Sequence, residues 1–381
     1  MNDVGRHIEV IYKDKFGQLI SLVLQHFQGL SIESAEDIVQ ETFAEAAQLW
    51  PKQGMPKNPA GWLYQVCKNK SINLLKKKSK TEELSFAKMV SVAAEEISEH
   101  GFKDAQLLML MACCNPNITP KTQVVLALKY VANLKVENIA LQFGVTLGAI
   151  EKMLYRARQE IKSESLSLSA NPNNYSGERL SVVHKVIYLI FNEGYKQSGE
   201  KISQGKVLCE DALTLNKFLF DSPMCNTETI ALQALMLFNI ARFDARFDAH
   251  GKPIELEYQD RSQWNSSLIR LAHQLLTASE DASFSPYHLE AAIAWVHCTA
   301  QKFEDTNWAS ICKYYEALLR IYPSPFAEIN YAVALQYDHQ NEKALRILMD
   351  LRRNPYFSKL PILEVSIQKY FDRMGTKGNP K

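Results

Sequence analysis

Residues 134–161 read LKVENIALQFGVTLGAIEKMLYRARQEI, and the spacing of three of them decides the local architecture. Ala140, Gly144 and Ile150 stand at the offsets where a helix-turn-helix needs a small residue, a turn residue and an apolar anchor. A methyl group at 140 lets two helices approach closely, glycine at 144 accepts a positive φ in the turn, and Ile150 seats the second helix. Thr146 is the predicted N-cap, and the second helix ends in the basic run Arg156-Ala157-Arg158. A recognition helix turns its N-terminal half toward base edges and leaves nearby lysines and arginines to meet phosphates. Glu151, Lys152, Tyr155 and Arg156 are the exposed candidates, with Arg158 and Lys162 read as electrostatic. Such a motif alone does not separate a repressor from any other reader of duplex DNA.

Outward from this segment the periodicity is helical throughout. FGQLISLVLQHF, VVLALKYV, VVHKVIYLIF, ETIALQALMLFNIARF and HLEAAIAWVHCTAQ are apolar at helical spacing, and alternating runs are few. The expected class is all-α. Two polar stretches, 79–103 and 163–177, divide the chain into modules at 1–78, 104–165 and 178–381. In the third, PYHLEAAIAWVHCTAQ, TNWASICKYYEALLRIYP, SPFAEINYAVALQYDHQ and NEKALRILMDL follow one another as helix-length segments separated by turn residues. Pairs of such segments recurring near every 34 residues resemble tetratricopeptide-type hairpins, although the full consensus is absent.

The 381 residues, 46% of them apolar, suffice for more than one core. Neither an export signal nor an uncharged apolar run of spanning length stands out, so a cytoplasmic protein without membrane attachment is expected. Seven cysteines, odd in number and without CxxC pairing, suggest reduced core thiols rather than disulfides or zinc. His184, His288 and His297 are scattered, so no metal is expected. The net charge of +1 hides a local strip, since residues 61–80 hold six lysines and no acid.

That strip, AGWLYQVCKNKSINLLKKKSK, interleaves Trp62 and Tyr64 with amides and lysines, and it follows SAEDIVQETFAEAAQLWP at 34–51 and a Pro/Gly-rich loop. Aromatic faces beside a cationic stripe suit single-stranded or melted DNA, because each unstacked base offers a π-face and the backbone is anionic. The alternative for Trp62 is a core position. The order EDIVQETF, PAGWLYQVCKNKSINLLKKK, linker, then LGAIEKMLYRARQEI resembles an extracytoplasmic-function sigma factor of the sigma-70 family over residues 10–165.

The resemblance implies a division of labour. Asp37, Gln40, Glu41 and Phe43 would dock on the β′ clamp of core RNA polymerase, whose β flap is a further expected contact. Trp62, Tyr64, Asn69, Lys70, Lys76 and Lys77 would capture the −10 element, with Asn69 as the polar reader. Thr146, Glu151, Lys152, Tyr155, Arg156 and Arg158 would read the −35 element in the major groove. Asn73 and Lys76-Lys77 stand where the family often has an Asp and paired arginines, which keeps charge but loses bidentate geometry. Glu151 replaces a commonly basic residue. The promoter sequence is therefore not predictable.

VIYLIFNEGY, ALMLFNIARFDAR, LEYQDRSQWN and the helical segments beyond them resemble the subgroup with a large fused helical extension, which extends the likeness over nearly the whole chain. In that subgroup the extension takes the place of a separate membrane-bound regulator. Asn192, Glu193, Tyr195, Asp260 and Arg261, with Tyr258, Gln259 and Trp264, form a polar-aromatic set that reads either as a candidate regulatory pocket for a small partner or as caps, ion pairs and core. No nucleophile, metal cluster or Gly-rich phosphate loop specifies a reaction, so neither an enzyme nor a cofactor is expected. The competing function is a helix-turn-helix regulator with a ligand-sensing or scaffolding C-terminal domain. A simple regulator has no use for the first module.

Overall fold

The computed structural model describes residues 3–27, 29–81, 99–114, 118–143, 145–163, 177–199, 202–280, 284–355, 357–358 and 360–375. Every extended element among them is helical, as the periodicity requires. The chain forms two compact units, one of residues 1–194 with 210–224 and one of residues 195–209 with 225–381.

The first unit begins with α1 (Asp3–His26), α2 (Ile32–Gln53) and α3 (Pro59–Thr81). Ser31 starts α2 by accepting the backbone N–H of Ser34 at 3.2 Å, and Gly54 ends it with φ 87°, a conformation that costs glycine least. Helices α4 (Glu99–Cys113), α5 (Pro120–Tyr130), α6 (Val136–Phe143) and α7 (Leu147–Ser163) follow. Pro120 opens α5, where its missing N–H costs nothing. Helix α1 packs on α2, α3 and α4, burying Phe16, Leu19, Ile20 and Val23, while α5, α6 and α7 close around Val124, Leu128, Ile139 and Ile150. Gly17 makes this arrangement close: a Cβ there would stand 2.5 Å from the carbonyl oxygen of Tyr130. Residues 177–194 of α8 (Gly177–Tyr195) and the C-terminal half of α9 (Ile202–Phe220) belong to the same unit.

The second unit is built on α10 (Thr227–Ile240), which is mostly apolar and packs on α11 (Ser266–Ala278) and α12 (Pro286–Thr299). Helices α13 (Trp308–Ile321), α14 (Pro325–Tyr337), α15 (Asn341–Arg353) and α16 (Pro361–Arg373) then pack each on the one before, around Ile311, Leu335, Leu348 and Leu363. Between α10 and α11 the chain leaves α-helix for three short 3₁₀ segments, 243–246, 256–258 and 261–263. Gly144 and the greater part of the two expected linkers, 82–98 and 164–176, lie outside the described residues.

Candidate polymerase and nucleic-acid interface

Helix α2 buries Ala35, Ile38, Val39, Thr42, Ala46 and Trp50 along one side. Asp37, Gln40 and Glu41, three and four residues apart, share the exposed side. Phe43 does not belong to it. It is buried and meets Tyr12 of α1 edge-on at 4.9 Å between ring centroids, because its position falls on the apolar stripe. The expected face is therefore acid and amide, with Phe43 beneath it as packing.

On α3 the side chain of Asn58 accepts the N–H of Gly61 at 2.9 Å and so starts the helix. Leu63, Cys67, Ser71 and Leu75, at intervals of four, form the buried stripe. Tyr64 is buried beside them, its hydroxyl 2.7 Å from Nδ1 of His26, and burial pushes its phenol up to about 12. A ring held in that way is not a free stacking platform. Trp62 is half-buried and edge-on to Trp50 at 5.4 Å, so it keeps part of one edge in solvent. The exposed stripe is formed instead by Gln65, Asn69 and Asn73, again four apart, and continues into the exposed Lys76 and Lys77. Gln65 donates to Asn69 at 3.3 Å. Lys70 is drawn back to α2, where it pairs with Glu41 at 3.3 Å and Glu45 at 3.4 Å.

The helix-turn-helix has the expected anatomy. Ala140 and Ile150 are buried, and Thr146 caps α7 by accepting the N–H of Ala149 at 3.3 Å. Ile150, Leu154 and Ala157 face inward, which leaves Glu151, Lys152, Tyr155 and Arg156 on the solvent side, Tyr155 being 58% exposed. Arg158 departs from the expected DNA-facing set. Two residues beyond Arg156 is about 200° around a helix, and that turns its guanidinium inward. Its Nε donates to the hydroxyl of Tyr130 at 2.7 Å, and its terminal nitrogens reach Glu33 at 3.4 Å and Glu36 at 3.8 Å. Glu36, only 8% exposed, also pairs with Lys129 at 2.7 Å. The first turns of α2 and the ends of α5 and α7 thus share one network of two acids and two cations. Separately, Gln18 on α1 donates to Gln106 on α4 at 3.0 Å, and Gln106 donates to the carbonyl of Val131, just after α5, at 3.2 Å.

Asn192 and Glu193 lie at the end of α8 in the first unit, whereas Tyr195, Asp260 and Arg261 belong to the second. Asp260 is exposed and acts as a turn cap. It accepts from the Ser262 hydroxyl at 2.7 Å, the Gln263 amide at 3.1 Å and the Ser262 N–H at 2.9 Å, which hold its carboxyl below the usual range. Arg261 points elsewhere, donating to the carbonyls of His297 at 2.6 Å and Ala300 at 2.7 Å. Of the caps, ion pairs and core contacts expected as the structural alternative, Asp260 forms a cap, and neither Asp260 nor Arg261 makes an ion pair among the described residues.

The sigma-70 region 2 family matches residues 14–81, which hold α2 and α3, and the sigma-70 region 4 family matches residues 111–161, which hold the helix-turn-helix. The ECF RNA polymerase sigma factor SigW of Bacillus subtilis (strain 168) is 24% identical over 172 residues, 42% of this chain and 89% of that protein. The chain belongs to the sigma-70 family, as an extracytoplasmic-function sigma factor. It is also similar to the uncharacterized protein R00370 of Rhizobium meliloti (strain 1021), 33% identical over 367 residues, 94% of this chain and 86% of the relative. Residues 179–280 of the sigma factor match DUF6596, a family of unknown function. No solved structure matches the chain.

Membership accounts for an all-α fold, for core RNA polymerase and promoter DNA as partners, and for a chain whose family is generally non-enzymatic. Among the described residues of the sigma factor no helix is long and apolar enough to cross a membrane, and no cluster of three or more His, Cys, Asp or Glu side chains could hold a metal ion. The sequence reading missed Gln65, although its four-residue spacing from Asn69 was visible, and it did not foresee Glu33, Glu36 and Tyr130 as partners of Arg158.

Proposed function

We propose that the sigma factor directs promoter-specific transcription initiation by core RNA polymerase and that three exposed faces of its first unit divide the work. Asp37, Gln40 and Glu41 dock on the β′ clamp. Asn69, with Gln65, Asn73, the exposed edge of Trp62 and the lysines at 76 and 77, captures the −10 element. Thr146, Glu151, Lys152, Tyr155 and Arg156 read the −35 element, and the same domain meets the β flap. The observation that carries this reading is the segregation on α2, α3 and α7: each helix turns one apolar stripe inward, and most of the residues assigned to a partner lie together on its exposed side. The assigned face of α2 offers two acids and an amide without a cation, whereas α3 and α7 offer mainly lysines, arginine and amides, with Glu151 the one acid assigned among them, which suits a protein partner for the first and nucleic acid for the others. The tetratricopeptide-like second unit regulates this activity.

Run-off transcription with core polymerase and the full chain tests the assignment. Reversing Asp37 and Glu41 to Lys is expected to weaken co-purification with core polymerase, while Lys152→Ala with Arg156→Ala keeps that binding and lowers promoter use. Normal polymerase affinity in the first pair removes the α2 face from the proposal, and normal promoter use in the second removes the α7 face.

A further inference from the structure

Arginine in a protein interior is normally matched by a carboxylate, because its guanidinium stays charged at all relevant pH and carries five donors. Arginines of the second unit depart from that rule. Arg242 follows α10, Arg261 begins the last 3₁₀ segment, Trp264 precedes α11, and His297 lies in the last turn of α12. Their side chains share one neighbourhood: both guanidiniums lie over the Trp264 ring, Arg261 at 4.6 Å and Arg242 at 5.7 Å from its centroid, and Trp264 is 7% exposed. Arg242 Nε, Arg261 Nη2, Trp264 Nε1 and His297 Nδ1 are all buried and make no hydrogen bond. No ion pair with a carboxylate satisfies either arginine among the described residues. Glu304 and Asp305 are near enough to be felt by Arg261 but do not pair with it.

The rest of each group is firmly held, so the spare donors are aimed rather than loose. Arg242 spends Nη2 on the Asn239 side chain at 2.7 Å and also hydrogen-bonds the Tyr195 side chain, Arg261 spends Nη1 on two carbonyls of the α12 end, and the N–H of Asn265 ties the last 3₁₀ segment to the carbonyl of Ala241 at 2.8 Å. Burial, with Arg242 and Arg261 beside it, pushes the His297 imidazole down to about 3, so it is neutral and adds no third charge. Three orphaned donors, on Arg242, Arg261 and Trp264, stand beside two positive charges and lack the same thing, and the His297 Nδ1 next to them donates or accepts according to its tautomer. A water molecule supplies acceptors but no charge.

We infer that Arg242, Arg261, Trp264 and His297 form a binding site for a small oxyanion, a carboxylate or phosphate group with at least two acceptor oxygens. The guanidinium fork matches either geometry in bidentate fashion, and the indole N–H adds a donor that carries no charge. The inference concerns binding alone and stands apart from the assignment of the polymerase and promoter faces.

Titration calorimetry and thermal unfolding of the full chain test it, with orthophosphate and succinate as probes against sodium chloride at the same ionic strength. One or both probes are expected to bind and to raise the unfolding temperature beyond the chloride control, and which of them does so tells phosphate from carboxylate. Arg242→Met and Arg261→Met are expected to abolish the effect. Trp264→Phe removes a single donor and is expected to weaken binding about tenfold. Arg270→Met, at an exposed arginine on α11, is expected to leave binding intact. Should the arginine variants fail to fold, Trp264→Phe decides alone. Absence of binding by both probes, wild-type affinity in Trp264→Phe, or equal loss in Arg270→Met overturns the inference.

Discussion

Two buried clusters of charge, one in each unit, have the same ingredients and opposite balance. In the first, Lys129 and Arg158 face Glu33 and Glu36, and the Tyr130 hydroxyl bridges them. In the second, Arg242 and Arg261 face a tryptophan, a neutral histidine and backbone carbonyls. Burial of charge is tolerated when counter-charge and hydrogen bonds come with it, and is costly otherwise. The first cluster contains its own counter-charge and therefore serves the fold. The second awaits counter-charge from outside, and that is how a binding site differs from a structural network.

The largest effect expected from this comparison is at Glu36. Glu36→Ala leaves Lys129 without an acid and Arg158 with Glu33 alone, in a poorly solvated place, and breaking such a pair typically costs about 3–5 kcal/mol. Hydrogen exchange in α2, α5 and α7 of the full chain reads the loss locally, without assuming that both units unfold together. A loss below about 1 kcal/mol would mean that solvent compensates the two cations and that the first cluster is not closed in the sense argued above.

How far the sequence revealed these clusters depended on distance along the chain. The helix-turn-helix was legible because Ala140, Ile150 and the Thr146 cap act within one short segment, and the order of the two sigma regions did the rest. Phe43 and Tyr64 were misjudged as interface residues because their packing partners, Tyr12 and His26, come from α1, and no local spacing announces that pairing. Arg158 looked like part of a basic run. Its angular position on α7 set it apart, but its acids lie some 120 residues earlier, at 33 and 36. Gly17 carried no local signal at all; the need for glycine arises from the Tyr130 carbonyl that packs against it. In the second unit Arg261 was singled out for its polar surroundings, whereas Arg242 and His297 became visible only once folding had brought 242, 261 and 297 together.

A third group sharpens the comparison, because it is an acid that no cation pairs with among the described residues. Asp211 on α9 lines a cavity of about 300 Å³ with Asp14, Gln18, Gln106, Lys217 and Asp221, and Lys217 is already engaged by Asp221 at 2.9 Å. Burial, with Glu210 beside it, pushes the Asp211 carboxyl up to about 7 from 3.8. Unlike a guanidinium, a carboxyl can meet the missing partner by taking a proton. Between about pH 4 and 7 the folded chain holds a proton that the unfolded chain has released, so stability falls as pH rises through that window, and the full penalty applies above it. Asp211→Asn removes the penalty. It should stabilise the first unit at pH 8 by on the order of 2 kcal/mol, with a ceiling near 4 kcal/mol, and the gain should shrink toward zero as the pH approaches 4. Denaturant titrations of both proteins across that range check the sign, and a gain independent of pH would show that ionisation is not its cause.

The smallest expected effect is the most telling for the second cluster. If Arg242 were part of a closed network like that of Glu36, Arg242→Met would cost several kcal/mol. Without an internal counter-ion, the wild-type chain bears the desolvation of a charge that nothing repays. Methionine fills a similar volume and loses neutral partners only, the hydrogen bonds to Asn239 and Tyr195 and the contact with the Trp264 ring. The expected change in stability in chloride buffer is therefore within about 1 kcal/mol of zero, of either sign, as when an unrewarded buried charge is replaced by an apolar side chain. A loss of 3 kcal/mol or more by hydrogen exchange in α10 and α12 would place Arg242 in the same class as Glu36 and erase the distinction between the two clusters. A near-neutral change has the opposite meaning: at this position the fold maintains a positive charge that it does not need for its own stability.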